Sequence, residues 1–430
     1  MKLNPTFAKL AILAVVTVLL GIVLGQIGGL VRERQARQNE AAQSVEQSLA
    51  GPQTVLGPVL VRHCKETWMN GRGDSETRDF TLTAAPARLD VTGGLKPETR
   101  YRGLFKVNTY AGQLKLTARW ADTNALTPRG LRPGSQVDCG EASAMVSVSD
   151  ARGLRSADLQ RDGQSLAVKP GTTHAAYASG LHAPLPGLRP ETALSITLDL
   201  ELVGTQRFGL VPAAGSTTMA LQSSWQHPSF GGRFLPVDRQ VGVSGFAGRW
   251  QVTELASNAA AQVAAGDKNV DTLDVELIDP VNPYVMSDRA IKYGLMFVAL
   301  TFVTVGLTEL LTGRRVHPVQ YLLVGLAISL FFLLLLSLSE HMDFLKAYLV
   351  AAAAAAAVLT QYAAAMLGGW LRGLAFGGGI ALLYGALYVL LRQEQTALVI
   401  GAVLLFAVLA VIMTLTRKLD WYRLGASAEA

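Results

Sequence analysis

The sequence predicts an α-helical membrane protein with six transmembrane helices plus a large, mainly β (antiparallel sheet) extracytoplasmic domain. Several apolar runs approach the roughly 20 residues that a helix needs to cross hydrocarbon. Half of the 430 residues are hydrophobic and only 16% are charged. Because soluble proteins carry about a quarter charged residues, this deficit indicates membrane content rather than an oversized core. Between the first apolar run and the others lies a long polar stretch with strand-like alternation.

The first predicted element is a transmembrane anchor, residues 1–31. Lys2 and Lys9 precede an uncharged run over residues 10–30. This run is longer than the roughly 7–15 apolar residues of a cleavable signal, and it leads into arginines without an A-x-A-like site. An uncleaved anchor is therefore favoured over a removed signal peptide. A short helix over residues 40–49 is expected to continue outward from it.

The second predicted element is a periplasmic mainly-β domain, residues 32–288. Residues 195–202 alternate strictly between apolar and polar side chains, and residues 112–120 repeat the pattern. Weaker candidate strands are residues 80–83, 88–92, 217–222, 249–253 and 270–278. Alternation with one polar face favours antiparallel sheets, and hence a sandwich or barrel-like body.

The third predicted element is a five-helix transmembrane bundle, residues 289–416, followed by a cytoplasmic tail, residues 417–430. Its spans are expected at residues 293–311, 319–338, 347–367, 374–391 and 397–415. Alternate loops are net basic, and the shortest of them carries Arg314 and Arg315. The positive-inside bias therefore places both termini in the cytoplasm and residues 32–288 outside it.

Small residues predict how these helices pack. Gly21 and Gly25 form a G-x-x-x-G motif in the first span, which Gly29 extends, and Gly373 and Gly377 form another. Close backbone approach through such surfaces drives helix packing in lipid. Packing within one chain is favoured here over specific dimerisation.

Ionisable and polar groups inside the spans are few. Glu309 lies near the cytoplasmic end of the second span and is a functional candidate, since a carboxylate there is costly unless paired or hydrated. Pairing with Arg314 and Arg315 is the simpler account. Polar residues near mid-depth are Thr360, Gln361 and Tyr384. Hydrogen bonding between helices explains them more simply than a transport path.

The β domain shows no catalytic signature. Its histidines, His63, His174, His182 and His227, form neither H-E-x-x-H nor a close carboxylate cluster. No catalytic residue, cofactor or metal is therefore expected, and the protein is predicted not to be an enzyme. The net charge of +6 resides largely on residues that flank apolar segments, so nucleic acid is not an expected partner.

Two further features of the β domain are candidates for function. Cys64 and Cys139 are expected to form a disulfide if this domain faces an oxidising compartment, with two free thiols as the alternative. The segment 228–236 combines aromatics, an arginine and glycines. It is a candidate docking loop through Phe230, Arg233 and Phe234, although a structural turn is the favoured account.

From about Ser223 onward, the sequence resembles the CreD family of bacterial inner-membrane proteins. The matching passages are HPSFGGRFLP from His227, GRWQVTELASN from Gly248, SDRAIKYGLMFVALTF from Ser287 and LTELLTGRRVHPVQYLLVGLAISLFFLLLLSLSEHMDFLKAYL from Leu307. The resemblance implies a Gram-negative inner membrane, a periplasmic middle domain and a role in cell-envelope integrity. It carries over no catalytic residue. Candidate functional positions within its most recognisable stretch are Glu309, Arg314, Arg315, His317, Glu340 and His341, with a structural role in the hairpin as the simpler account.

The expected function is support of envelope integrity and of the envelope or β-lactam stress response, without enzymatic activity. Membrane lipid and a periplasmic protein or envelope polymer are the expected partners. The alternative is a transporter or flippase of an envelope component, which predicts a polar cavity near the middle of the bundle. A periplasmic hydrolase ranks last, because the spacings of its catalytic residues are missing.

Overall fold

The structure is a computed structural model that describes residues 5–130, 132–279, 282–312, 316–393 and 397–417. The chain divides into two compact units. We call Met1–Arg37 with Val281–Ala430 the helical unit, and Gln38–Pro280 the β unit.

The helices, in chain order, are α1 (Pro5–Ser48), α2 (Ala259–Ala265), α3 (Pro283–Lys292), α4 (Gly294–Thr312), α5 (Pro318–Ser339), α6 (Phe344–Leu367), α7 (Trp370–Arg392) and α8 (Ala397–Thr416). The strands are β1 (Gln53–Met69), β2 (Ser75–Ala84), β3 (Arg88–Arg102), β4 (Phe105–Trp120), β5 (Gln136–Cys139), β6 (Ser143–Val148), β7 (Leu154–Arg161), β8 (Gln164–Ser165), β9 (Lys169–Pro170), β10 (Gly180–Pro184), β11 (Leu194–Thr205), β12 (Arg207–Leu210), β13 (Ser216–Ser223), β14 (Pro228–Gly232), β15 (Asp238–Gly242), β16 (Gly245–Thr253) and β17 (Leu273–Leu277).

The strands of the β unit form two sheets. The first has the order β14-β17-β12-β1-β6-β10-β9, with β2 and β5 also paired to β1. The second has the order β15-β16-β13-β3-β4-β11-β7-β8. One hydrophobic core contains side chains of both sheets, including Leu60 and Phe208 from the first and Leu116 and Trp250 from the second. The sheets therefore pack face to face as a sandwich.

Both sheets are mixed, which corrects the expectation of purely antiparallel pairing. In the first sheet β1 runs parallel to β12, and in the second β3 runs parallel to β13. Side-chain alternation reports which face of a strand is buried and carries no information about the direction of its neighbour. The alternating strand β11 is confirmed, since Ile196, Leu198, Leu200 and Leu202 are all buried.

Strand β1 has no alternating pattern because it is buried on both faces. Leu60 lies in the core shared by the sheets, whereas Val59 and Val61 pack against Ala259 and Val263 of α2 on the other face. A strand covered on both sides appears in the sequence as a continuous apolar run.

A disulfide links Cys64 of β1 to Cys139 of β5. The two residues are directly opposite each other in the antiparallel pairing of these strands. The bond closes a loop with a sequence separation of 75 residues. It therefore covalently ties the end of β5 to the central strand of the first sheet.

Within the residues that the structure describes, four helices are long and apolar enough to cross a membrane: α1, α5, α6 and α7. The count is five if α3 and α4, which meet at an angle of 44°, form one bent span. The sixth predicted span lies in α8, where the apolar stretch Gly401–Val411 is shorter than a full span. Six transmembrane helices therefore stay a prediction.

Helices α6 and α7 approach closely through small residues. A Cβ atom added to Gly373 would clash with Ala364, and one added to Gly377 would clash with Thr360. The second glycine motif thus packs within the chain, as predicted. The first motif makes a looser contact: a Cβ added to Gly21 would lie 4.0 Å from Leu295 of α4, and one added to Gly25 or Gly29 would meet nothing within 4 Å among the described residues.

Candidate functional site

Glu309, at the C-terminal end of α4, joins three helices. Its Oε1 forms an ion pair with the Nζ atom of Lys9 in α1. Its Oε2 accepts a hydrogen bond of 3.0 Å from the hydroxyl of Tyr321 in α5. The Lys9 ammonium also lies 5.6 Å from the centre of the Tyr321 ring. We call Lys9, Glu309 and Tyr321 the first clasp.

Glu340, which caps the C-terminal end of α5, has the same kind of partners. Its Oε1 lies 3.3 Å from Nε of Arg34 in α1 and accepts a 3.1 Å hydrogen bond from the hydroxyl of Tyr284 in α3. Only 5% of the Glu340 side chain is exposed. We call Arg34, Glu340 and Tyr284 the second clasp. Each clasp therefore consists of one carboxylate, one cation from α1 and one tyrosine hydroxyl.

The two clasps lie at opposite ends of α5 and are far apart along α1. Lys9 and Arg34 are separated along α1 by about 37 Å, at 1.5 Å per residue. A bilayer has a hydrocarbon core of roughly 30 Å. Charges this far apart along a helix that crosses a bilayer would lie near its two edges, where a charged side chain costs far less than at mid-depth.

Sequence reasoning missed four of the six clasp residues. These four are Lys9, Arg34, Tyr284 and Tyr321. No sequence pattern groups them, because their partners are distant along the chain: Lys9 and Glu309, for example, are 300 positions apart. The available signal was the set of charges that flank the first apolar run, Lys2 and Lys9 before it and Arg32, Arg34 and Arg37 after it. The expected partners of Glu309, Arg314 and Arg315, lie outside the described residues.

The two candidate histidines have local roles. His317 caps the N-terminus of α5: its Nδ1 accepts from the backbone N–H of Val319, and its own N–H donates to Oε1 of Gln320. His341 is exposed, and its Nδ1 lies 3.1 Å from the carbonyl oxygen of Ser337. The candidate positions thus fall at the two ends of α5 rather than in one cluster.

The polar residues near mid-depth do not converge on a cavity. The Thr360 hydroxyl donates to the carbonyl of Ala356, one turn earlier in its own helix. Gln361 is on the exposed side of α6. Tyr384 is buried, and its carbonyl accepts a hydrogen bond of 2.6 Å from the hydroxyl of Tyr348.

Aromatic rings fill the space beside Tyr384. Its ring centre lies 4.4 Å from that of Phe331 and 6.3 Å from that of Phe297. The ring of Tyr348 packs edge-on against Phe331 at 5.5 Å. The ring of Tyr384 is therefore packed among aromatic side chains of the bundle, and among the described residues its buried hydroxyl has no hydrogen-bond partner.

The candidate docking loop is in large part a structural element. Residues 228–232 form β14, which pairs with β17, so the prediction of a loop is wrong for this half of the segment. The ring of Phe230 packs at 5.7 Å from the rings of Phe246 and Trp250. Phe234 is half-buried and packs against the same core. The two aromatic side chains thus have a structural role, as the favoured account of this segment predicted, but Phe230 lies in a strand rather than in a turn.

Arg233 differs from its aromatic neighbours. Its side chain is 71% exposed, with Nε 3.7 Å from Oδ1 of Asp271. Such an exposed pair contributes little to stability. Of the three proposed docking residues, Arg233 alone presents its functional group to solvent.

The histidines of the β unit do not assemble with other ligands. His174 is buried, which lowers the pKa of its imidazole, and the nearby His63 lowers it further. The Nδ1 atom of His63 lies 3.0 Å from the hydroxyl of Thr81. Among the described residues, no group of three or more His, Cys, Asp or Glu side chains could hold a metal ion.

Comparison with known proteins places these observations in a family. The profile of the family described as "Inner membrane protein CreD" matches residues 5–422 of this chain. The chain is also 33% identical over 428 residues to the Inner membrane protein CreD of Escherichia coli (strain K12). That alignment covers 97% of this chain and 94% of the relative.

Proposed function

Because the chain belongs to the CreD family of inner membrane proteins, we propose that it supports the integrity of the cell envelope and its response to β-lactam stress. It does so without enzymatic activity. The helical unit anchors the protein, and the β unit contacts a periplasmic protein or an envelope polymer. Both termini lie in the cytoplasm, and the β unit lies outside it.

The observation that carries this proposal is the placement of paired charges at the ends of the helices. Glu309 and Glu340 each have a cation from α1 as a partner. A transport path would need polar groups that converge near mid-depth. A helix bundle held together by ion pairs at both ends is suited to anchoring the protein in the membrane. The β unit is then the part that contacts the partner.

The proposed orientation is supported by the charges near the first clasp. Glu309 lies just before the connection that carries Arg314 and Arg315. Its ion-pair partner Lys9 lies near the N-terminal end of α1. Basic residues concentrate on the cytoplasmic side of membrane proteins. The disulfide between Cys64 and Cys139 supports the same orientation, since such bonds persist in oxidising compartments such as the periplasm.

Deletion of the gene from a Gram-negative host tests this function. We expect increased sensitivity to detergent and to β-lactams, restored by the full-length wild-type chain on a plasmid. A growth-matched strain with an unrelated inner-membrane protein deleted is the control for general membrane stress. Unchanged sensitivity to both agents would contradict the proposal.

A further inference from the structure

A row of glutamines crosses the outer face of the second sheet. Gln240 of β15 is directly opposite Ala247 of β16, which is opposite Gln222 of β13. Gln222 is opposite Gly94 of β3, and Gly94 is opposite Gln113 of β4. Residues that are directly opposite on paired strands point to the same face. We call these five residues the glutamine row.

Long and small side chains alternate along this row. Neighbouring strands lie about 4.8 Å apart, so successive glutamines are spaced by about 10 Å, with Ala247 or Gly94 between them. The small residues leave gaps between the amide side chains that project from the sheet. We call this surface the trough. An open cavity of about 1060 Å³ on this face is lined by all five residues of the row, together with Lys96.

The amides of the row are placed for binding. Gln113, Gln222 and Gln240 are all exposed. The Nε2 atom of Gln113 donates a 3.2 Å hydrogen bond to Oε1 of Glu201, the next residue across the sheet. This bond orients one end of the row. The buried neighbours Leu221 and Phe246 point into the sandwich and hold the same strands in place.

The chemistry of the trough selects an uncharged ligand. A glutamine amide offers both donors and an acceptor, which matches hydroxyl and acetamido groups. Lys96 is the one charged side chain among the residues that line this cavity. Nucleic acids, by contrast, bind through many phosphate contacts to lysine and arginine. Neutral hydrogen-bonding groups therefore dominate recognition here.

Because the row runs across the strands, the ligand that fits it is an extended polymer lying across them. A peptide that adds to a sheet runs alongside an edge strand and pairs with its backbone. The glutamine row runs across β15, β16, β13, β3 and β4 instead, so a chain lying on it meets side-chain amides. Their spacing of about 10 Å, from two strand separations, suits an extended polymer whose hydrogen-bonding groups recur at regular intervals, as the hydroxyl and acetamido groups of a β-linked glycan do.

We propose that the glutamine row binds an extended, uncharged β-linked glycan of hexose or N-acetylhexosamine units. This inference deepens the proposed function by naming the class of envelope polymer, and it rests on that function for the location of the β unit. Binding itself is a property of the purified chain. It can therefore be tested separately from the envelope phenotype.

The test uses the full-length protein in detergent micelles and the hexamer of β-1,4-linked N-acetylglucosamine as the probe, titrated by calorimetry. The wild-type chain is expected to bind the hexamer saturably. The double variant Gln222→Met and Gln240→Met keeps the side-chain length and removes the amides, so we expect binding about tenfold weaker or more. Gln251→Met, on the same face of β16 but outside the lining of the trough, is the matched control and is expected to bind like wild type.

A second variant distinguishes loss of binding from loss of folding. In Gly94→Leu the new side chain occupies the gap between Gln222 and Gln113. Its Cβ would lie 3.6 Å from the nearest atom, an ordinary van der Waals contact, and the position is on the outer face of the sheet. We expect this variant to melt at the wild-type temperature and to lose binding. Absence of saturable hexamer binding by the wild-type chain, or equal weakening in Gln251→Met, would overturn the inference. Row-dependent binding of an extended peptide without binding of the hexamer would also overturn it.

The two proposals fail separately. If the hexamer does not bind but gene deletion still sensitises the envelope, the glycan inference falls and the proposed function stands. If the hexamer binds at the row but deletion leaves the envelope unchanged, the proposed function falls and the binding site stands.

Discussion

At the scale of single residues, the second clasp is the most informative contact. Glu340 is almost wholly enclosed, and Arg34 is its cationic partner. Removal of one member of a buried ion pair leaves an uncompensated charge and typically costs about 3–5 kcal/mol. Arg34 is itself about a third exposed, so we expect the lower end of that range.

The change Arg34→Met tests this contact. We expect the protein in detergent to lose about 3 kcal/mol of unfolding free energy, measured by thermal unfolding. Part of this loss should return in the double variant Arg34→Met with Glu340→Gln, because the unpaired charge is then gone. Arg37→Met is the matched control, since its pair with Glu33 is more than half exposed and should contribute under about 0.5 kcal/mol. Equal losses at the two arginines would contradict this account.

Asp150 makes stability depend on pH. Hydrogen bonds from Arg152 hold the pKa of the Asp150 carboxyl below its usual range, and the backbone N–H of Gly51 assists. Because the folded pKa is depressed, the carboxylate stabilises the fold above its unfolded pKa of about 3.9. This contribution is lost as pH falls through the folded pKa.

The change Asp150→Asn should therefore lower stability at pH 7, and the difference from wild type should shrink as pH falls below about 4. Melting temperatures measured from pH 7 to pH 3 give the comparison. Asp79→Asn, at an exposed position of β2, is the control. A constant difference between Asp150→Asn and wild type at every pH would show that the effect is not electrostatic.

At the scale of elements, the contact between α6 and α7 depends on glycine. A side chain at Gly377 would clash with Thr360, whereas one at Gly378, the next residue of the same helix, meets nothing within 4 Å. Packing through such surfaces supplies the stability of helix pairs in lipid.

Gly377→Leu should separate α6 from α7 and lower the melting temperature and the folded yield in detergent. Overpacking of this kind typically costs about 1–3 kcal/mol. Gly378→Leu adds the same side chain on an open face and should leave both quantities near wild type. If both variants behaved alike, the close approach of α6 and α7 would be refuted.

The disulfide between β1 and β5 makes the β unit sensitive to reductant. On the chain-entropy model, a cross-link that closes a loop with a separation of 75 residues stabilises the fold by roughly 4 kcal/mol. A thiol reductant should lower the melting temperature of the wild-type protein. It should have no effect on the double variant Cys64→Ser and Cys139→Ser, which should already melt at the lower temperature. An unchanged wild-type melting curve under full reduction would contradict the predicted stabilisation.

At the scale of the whole molecule, the sequence predicts features that repeat locally and misses those that depend on distant partners. The alternation of residues 195–202 identified β11, and long apolar runs identified α5, α6 and α7. Strand β1 was missed because both of its faces are buried, so it lacks a periodic signal. The parallel pairings of β1 with β12 and of β3 with β13 are also not indicated by any local sequence pattern.

The candidate site shows the same limit. Glu309 was found because a carboxylate in an apolar run is conspicuous on its own. Its partners Lys9 and Tyr321 depend on how α1 and α5 pack against α4, which no local pattern reports. The direction of the Phe230 ring depends on the pairing of β14 with β17, which is likewise not visible in the local sequence.

The central claim is that residues 38–280 lie outside the cytoplasm while both ends of the chain lie inside it. Labelling of single cysteines with a membrane-impermeant maleimide, in cells with the outer membrane opened and in the Cys64→Ser, Cys139→Ser background, tests it most directly. Leu255, which is 95% exposed, and Arg417, exposed just after α8, are suitable positions. We predict that Leu255→Cys is labelled while the inner membrane is intact, and that Arg417→Cys is labelled only after that membrane is permeabilised. The reverse pattern would contradict the account.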